Sequence, residues 1–258
     1  MGWRELMGIS TWGRQLAASV VFYTCLPLPR DWPFDFRGIA RYAPLVGILI
    51  GGLLGMGDGV FRALDLPVGT RSALVVVAWV GLTGGLHLDG AMDTADGLAV
   101  MEPERRLAVM ADSRSGAFGV MAAIAILGLK LMALADLPQG RIWILMAVAG
   151  WGRWGQVVAI ARYPYLKPEG KGAFHKTGHP RVDWLVGWVA LIGLSLAMVT
   201  VGHLSWTLAG GVALGGIGLA IGTGAWFHRQ LGGHTGDTYG AVVEWTEALL
   251  LCVITALA

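Results

Sequence analysis

The chain predicts an all-α, polytopic membrane protein of about seven transmembrane helices preceded by an interfacial or re-entrant helix. Three observations carry this expectation. Apolar residues make up 55% of the 258 and charged residues only 14%, against about 25% charged in an ordinary soluble domain. Seven apolar stretches are long enough to cross a bilayer, which takes about 17 to 25 residues each. The basic residues also fall on alternate sides of those stretches, in the pattern that sets membrane orientation.

Taken in order, residues 3–30 hold Arg4, Arg14 and Gln15 beside an apolar run ending at Leu26-Pro-Leu-Pro29, which suits a helix at the interface better than a span. The spans are drawn at 42–64, 72–88, 117–136, 142–160, 184–202, 206–227 and 238–258. Gly47, Gly51 and Gly55 in the first and Gly211 and Gly215 in the sixth have the small-residue spacing of closely packed membrane helices. Lys130 and Arg153 lie within the third and fourth spans, and Glu244 and Glu247 within the last. Trp143, Trp184, Trp206 and Trp226 stand near span ends, as an interfacial belt requires.

With the N-terminal region inside, fourteen of the 19 Lys and Arg residues fall in inner segments, and only Arg62, Arg71 and Arg141 near the outer face. Every polar segment with an acidic or histidine cluster then lies on the cytoplasmic side. The inner segments 89–116 and 161–183 exceed a minimal helix connection, and long ordered loops tend to carry function. No repeat or low-complexity tract divides the chain, so one domain, 1–258, suffices.

Composition also excludes classes. A net charge of +2, spread among loops, argues against nucleic acid as a partner. Cys25 and Cys252 can make neither a disulfide framework nor a zinc site and are expected to be packing residues. The start, Met1-Gly-Trp-Arg-Glu5, lacks the order of a cleaved signal, so the N-terminus is expected to be retained. Membrane lipid surrounds such a chain, and assembly as a homo-oligomer is left open.

Four constellations could do chemistry. In Thr83-Gly-Gly-Leu-His-Leu-Asp-Gly-Ala-Met-Asp-Thr-Ala-Asp-Gly97, helical spacing puts Asp89, Asp93 and Asp96 within a sector of about 60°. Clustered carboxylates repel one another and invite a divalent cation, and hard oxygen ligands favour Mg²⁺ or Mn²⁺, which commonly carries a substrate phosphate. The competing account is a helix terminus whose dipole favours acids. His87 lies beside them. Asp112-Ser-Arg-Ser-Gly-Ala-Phe-Gly119 supplies either a solvated helix end or a turn in which Arg114 grips a phosphate.

In Gly232-Gly-His-Thr-Gly-Asp237, continued to Glu244 and Glu247, a glycine-rich turn enters the last span. Asp237, Glu244 and Glu247 share a face of about 80°. Intramembrane glutamates either face a polar interior or pair with Lys130 or Arg153. His234 and Asp237 are candidates for a metal ligand or a general base. Lastly, the segment from Arg162 to Lys176 mixes basic and aromatic residues: it either fixes topology or binds a flat anionic molecule. These groups would serve a CDP-alcohol phosphotransferase, a prenyltransferase or an ion-coupled transporter as well, although the inverted repeat of a transporter is not seen.

The wording of these motifs resembles the cobalamin synthase family, the adenosylcobinamide-GDP ribazoletransferases. The resemblance rests on Thr83 to Gly97, on Met110-Ala-Asp-Ser-Arg-Ser-Gly-Ala-Phe-Gly119, and on Leu231-Gly-Gly-His-Thr-Gly-Asp-Thr-Tyr-Gly-Ala241 with Glu244 and Glu247. Looser likeness covers Leu26 to Pro29, Pro44 to Gly47 and Glu169 to Gly172, with departures at Tyr23 to Pro27 and at Lys171. It implies a Mg²⁺-dependent enzyme of the bacterial cytoplasmic (inner) membrane, acting on the cytoplasmic side. Such an enzyme joins adenosylcobinamide-GDP to alpha-ribazole or its 5'-phosphate, giving adenosylcobalamin or its 5'-phosphate and GMP. Asp89, Asp93, Asp96 and Asp237 are then the expected metal ligands and Arg114 the diphosphate clamp. His87, Asp112, Lys171, Glu244 and Glu247 are expected to contact substrate, and the base is His234 or Asp237.

Overall fold

The computed structural model describes residues 10–112, 114–137, 139–167 and 180–257. Arg4, Lys171 and the Glu169 to Gly172 stretch lie outside the described residues. Helix α1 (Thr11–Tyr23) starts where the Ser10 hydroxyl accepts from the Gly13 amide at 3.4 Å. Its 13 residues rise about 20 Å, short of the roughly 30 Å hydrocarbon core. It is therefore the non-spanning helix expected.

A 3₁₀ turn (Ile39–Tyr42) leads into α2 (Ala43–Ala63), followed by α3 (Val68–Thr83), α4 (Leu86–Ala99) and the short α5 (Pro103–Val109). Then come α6 (Ala117–Asp136), α7 (Arg141–Arg162), α8 (Pro180–Thr200), α9 (Trp206–Leu231) and α10 (Gly236–Thr255). Six of these, α2 and α6 to α10, are long and apolar enough to cross a membrane. The pair α3 and α4, bent by 90°, makes a seventh if counted as one.

The bend corrects the span drawn at 72–88. α3 stops at Thr83 because Gly84 and Gly85 both take left-handed backbone, at φ 61° and 70°. Side-chain-bearing residues resist that conformation, and two in succession turn the helix axis sharply. α4 leaves α3 at a right angle, so Asp89, Asp93 and Asp96 stand beside the end of the bundle rather than along a span.

α7 is the central helix, with 83% of its apolar window buried against α2, α8, α9 and α10. Gly47 and Gly51 permit this packing, since a methyl group at either would strike the α7 backbone at Ala149 or Leu145, and one at Gly55 would strike Ile142. Gly211 and Gly215 instead face the side chains of Leu257 and Leu250. Of the cysteines, Cys252 packs against the core as expected, but Cys25 is exposed, in the turn after α1.

The intramembrane charges pair with one another. Lys130 Nζ on α6 donates to Glu244 Oε2 at 2.7 Å and to Glu247 Oε2 at 2.5 Å, and Arg153 Nη1 on α7 donates to Glu247 Oε1 at 2.7 Å. Two cations thus balance two carboxylates, the condition under which buried charge is tolerated. Lys130 also lies 4.3 Å from the Trp79 ring centre. Outside that network, Asp58 is shared by Arg141 at 3.3 Å and Arg71 at 3.7 Å.

Candidate active site

The Gly232 turn and the start of α10 organise the polar end of the bundle. Thr235 caps α10 reciprocally: the Thr238 amide donates to Thr235 Oγ1 at 3.3 Å, and the Thr235 amide to Thr238 Oγ1 at 2.8 Å. Asp237 therefore occupies the first turn, where the helix dipole favours a carboxylate. A short parallel bridge ties this turn to the chain after α7, through Leu166 N to His234 O at 2.8 Å and His234 N to Pro164 O at 2.9 Å. That bridge delivers Lys167, whose Nζ lies 3.1 Å from Asp237 Oδ2.

α4 meets α10 at two glycines. A Cβ at Gly90 would stand 2.6 Å from the Asp237 carbonyl oxygen, and one at Gly240 would stand 2.8 Å from that of His87. At Gly90 the missing side chain admits the backbone of α10. The close crossing opens Asp89, Asp93 and Asp237 onto one cavity of about 440 Å³. Its mouth holds those acids and Lys167, and its floor holds Tyr23, His87, Gln156 and Tyr239, each almost fully buried.

Burial, reinforced by the charges of Asp89, Asp237 and Asp96, pushes the Asp93 carboxyl up to about 6, with Lys167 acting in the other direction. Burial likewise pushes the Tyr23 phenol up, so it stays protonated; its oxygen lies 3.1 Å from Gln156 Nε2. His87 stacks on Tyr23 with ring centres 5.8 Å apart. A larger cavity of about 630 Å³ on the other face of α4, between Ala95, Leu98, Trp226 and Trp245, is lined without a titratable group and offers no chemistry of this kind.

Several expected residues stand elsewhere. Asp96 accepts the Gly116 amide at 2.7 Å and the Gly119 amide at 2.8 Å, so both its oxygens serve the start of α6. His234 is fully buried, with Nε2 3.1 Å from the Gly224 carbonyl and Nδ1 3.0 Å from Thr238 Oγ1. The carbonyl only accepts, so Nε2 carries the proton there. Glu244 and Glu247 are held by Lys130 and Arg153, away from the cavity lining.

Arg114 is exposed and bonds Asp112 through Nη2 to Oδ2 at 2.6 Å, which holds the Asp112 carboxyl at about 2. It stands three residues beyond Ala111, which does line the cavity. Tyr165, Lys167, Gln156 and Tyr239 were not singled out by spacing. Tyr165 and Lys167 lie in the basic and aromatic segment, and that composition was their only signal. No three Asp, Glu, His or Cys groups among the described residues form a ready-made metal cage.

A bundle of apolar spans closing on an acidic, lysine-bearing cavity defines a polytopic membrane enzyme. Residues 15–255 match the family described as cobalamin-5-phosphate synthase, and the chain belongs to it. It is 58% identical to the adenosylcobinamide-GDP ribazoletransferase of Trichormus variabilis, over 94% of this chain and 96% of the relative. The protein of the same name from Synechococcus elongatus is 53% identical, over 92% and 94%. That from Thermosynechococcus vestitus is 50% identical, over 95% and 97%. No solved structure matches the chain. Membership makes the chain a transferase of cobalamin biosynthesis.

Proposed function

We propose that this enzyme transfers the adenosylcobinamide phosphoryl group of adenosylcobinamide-GDP to alpha-ribazole or alpha-ribazole 5'-phosphate, releasing GMP, at the cytoplasmic face of the bacterial inner membrane. The observation that carries the reading is the opening of Asp89 and Asp93 from α4, with Asp237 from α10, onto one cavity. Sidedness is supported by charge: Arg105, Arg106, Arg162, Lys167 and Arg229 belong to segments at the cavity end, and Arg62, Arg71 and Arg141 to the other.

The donor set fits Mg²⁺, which is usually held by one or two carboxylates together with substrate phosphates rather than by an all-protein cage. Asp89 and Asp93, on adjacent turns, would hold it. Bound there, it would supply Lewis-acid stabilisation of charge on the bridging and leaving oxygens. Lys167 at the mouth contributes a fixed cation, and Arg114, whose partner among the described residues is Asp112 in an exposed ion pair, is available to grip the diphosphate.

The acceptor hydroxyl oxygen attacks the corrinoid-side phosphorus, a new P–O bond forms, and the bond to the bridging oxygen breaks, so that GMP departs with the electron pair. Asp237 accepts the hydroxyl proton through Oδ1, while Lys167 and Thr235 hold Oδ2, each at 3.1 Å. His234 supports this base by pinning the turn before α10. Purified protein given adenosylcobinamide-GDP, alpha-ribazole and Mg²⁺ should yield GMP and a product of the joined mass; absence of GMP with an intact, folded protein sinks the reading.

A further inference from the structure

The cavity floor holds two polar atoms that the reaction just described does not use. Gln156 is 3% exposed and Tyr239 2%. Both line the cavity, yet Gln156 Oε1 and the Tyr239 hydroxyl have no hydrogen-bond partner among the described residues. Buried polar atoms are nearly always satisfied, so two such atoms on side chains that border a cavity mark a place where a ligand can supply the partners. The Gln156 amide is anchored on its nitrogen side by the Tyr23 oxygen at 3.1 Å. Tyr239 is likewise set, with its ring stacked between Tyr165 at 6.1 Å and His234 at 5.4 Å.

The surrounding walls are flat. Tyr23, His87 and Tyr165 bring aromatic rings to the same space, the kind of surface that a planar heterocycle stacks against. The corrin macrocycle is far too broad for about 440 Å³. A guanine edge displays more donors and acceptors than two protein atoms can meet. A benzimidazole nucleoside fits the inventory: its glycosylated base keeps a single ring nitrogen, an acceptor, and its ribose carries hydroxyl donors.

We propose that the floor is the acceptor subsite, where the Tyr239 hydroxyl donates to the free ring nitrogen of a benzimidazole nucleoside and Gln156 Oε1 accepts from a ribose hydroxyl. This rests on the reaction proposed above and adds the residues that select its acceptor. The base lies at the buried floor, the ribose points outward, and a secondary ribose hydroxyl, free whether or not the 5'-position carries phosphate, reaches the acidic mouth, where Asp237 stands.

The test compares alpha-ribazole with the indole riboside that replaces the ring nitrogen by CH. Wild-type protein should prefer alpha-ribazole by about tenfold in kcat/KM, the margin of one buried hydrogen bond. Tyr239→Phe should abolish that preference and raise KM for alpha-ribazole about tenfold, while KM for adenosylcobinamide-GDP stays within about twofold. Gln156→Leu should raise KM for alpha-ribazole and keep the preference for the benzimidazole. A retained preference in Tyr239→Phe, or an equal rise in both KM values, overturns the subsite. Calorimetry with alpha-ribazole alone separates this from the reaction itself. Binding that weakens in Tyr239→Phe upholds the subsite even if no GMP forms, and absence of binding to wild-type protein overturns it even if GMP does.

Discussion

Replacing Gly90 by alanine would test how the acids of α4 and Asp237 come to share one cavity. The new Cβ would lie 2.6 Å from the Asp237 carbonyl oxygen and 3.0 Å from its Cα. Ordinary contact begins near 3.5 Å, so α4 and α10 must part by roughly 1 Å. Overpacking of this kind costs about 1 to 3 kcal/mol, and about 1 kcal/mol returns because alanine favours the helix. The variant should therefore fold. A displacement of about 1 Å at a reacting centre lowers turnover about 100-fold. The assay is GMP release under saturating substrates, with thermal unfolding measured on the same preparation. Gly57→Ala is the control, since a Cβ there meets nothing within 4 Å; it should keep wild-type activity. Wild-type turnover in Gly90→Ala, at an unchanged Mg²⁺ requirement, would falsify the idea that this crossing sets the site.

Asp89 and Asp96 should separate cleanly although both belong to the acidic motif. Asp89→Asn should abolish turnover and leave the unfolding temperature near wild type, whereas Asp96→Ala should cost about 0.5 to 2 kcal/mol as a lost helix cap and keep its Mg²⁺ response. Lys130→Met leaves two buried glutamates with only Arg153 and should destabilise by about 3 to 5 kcal/mol; adding Glu244→Gln should recover part of the loss, as read by thermal unfolding in detergent. For Asp93 the folded value is raised from 3.8 to about 6. In metal-free protein its stabilising contribution is thus fully present below the ordinary value and is lost as pH rises through 6. Mg²⁺ needs the ionised form, so its half-saturating concentration should climb up to about tenfold per unit as pH falls below 6. A flat Mg²⁺ requirement across that range refutes the assignment.

Much of the architecture was legible in advance. The third span, drawn at 117–136, coincides with α6, and 142–160 lies within α7, because apolar length and the bilayer thickness impose the same limits on any sequence. The Gly47, Gly51 and Gly55 stripe also appeared as a helix contact, since small residues four apart are useful only to a close neighbour. The span drawn to 88 overshot, because hydropathy does not register two glycines in left-handed backbone.

The candidate site was only partly legible. Spacing alone put Asp89, Asp93 and Asp96 on one helix face, a consequence of the helical repeat that needs no partner. Which of those carboxylates faces a cavity depended on groups 20 or more residues away: Asp96 on the amides of Gly116 and Gly119, Asp237 on Lys167, Glu247 on Lys130. The two readings held open for Glu244 and Glu247 could not be separated in sequence, because ion pairing is decided by which helices are neighbours. Likewise Gln156 belongs to no motif and Tyr239 was given no role within its own, and only the packing of α7 against α10 gives them one cavity. Composition, spacing and capping act within a few turns and so determined the spans, the helix faces and the class of chemistry. The choice among carboxylates, and the floor beneath them, came from contacts between distant segments that exist only once the bundle has closed.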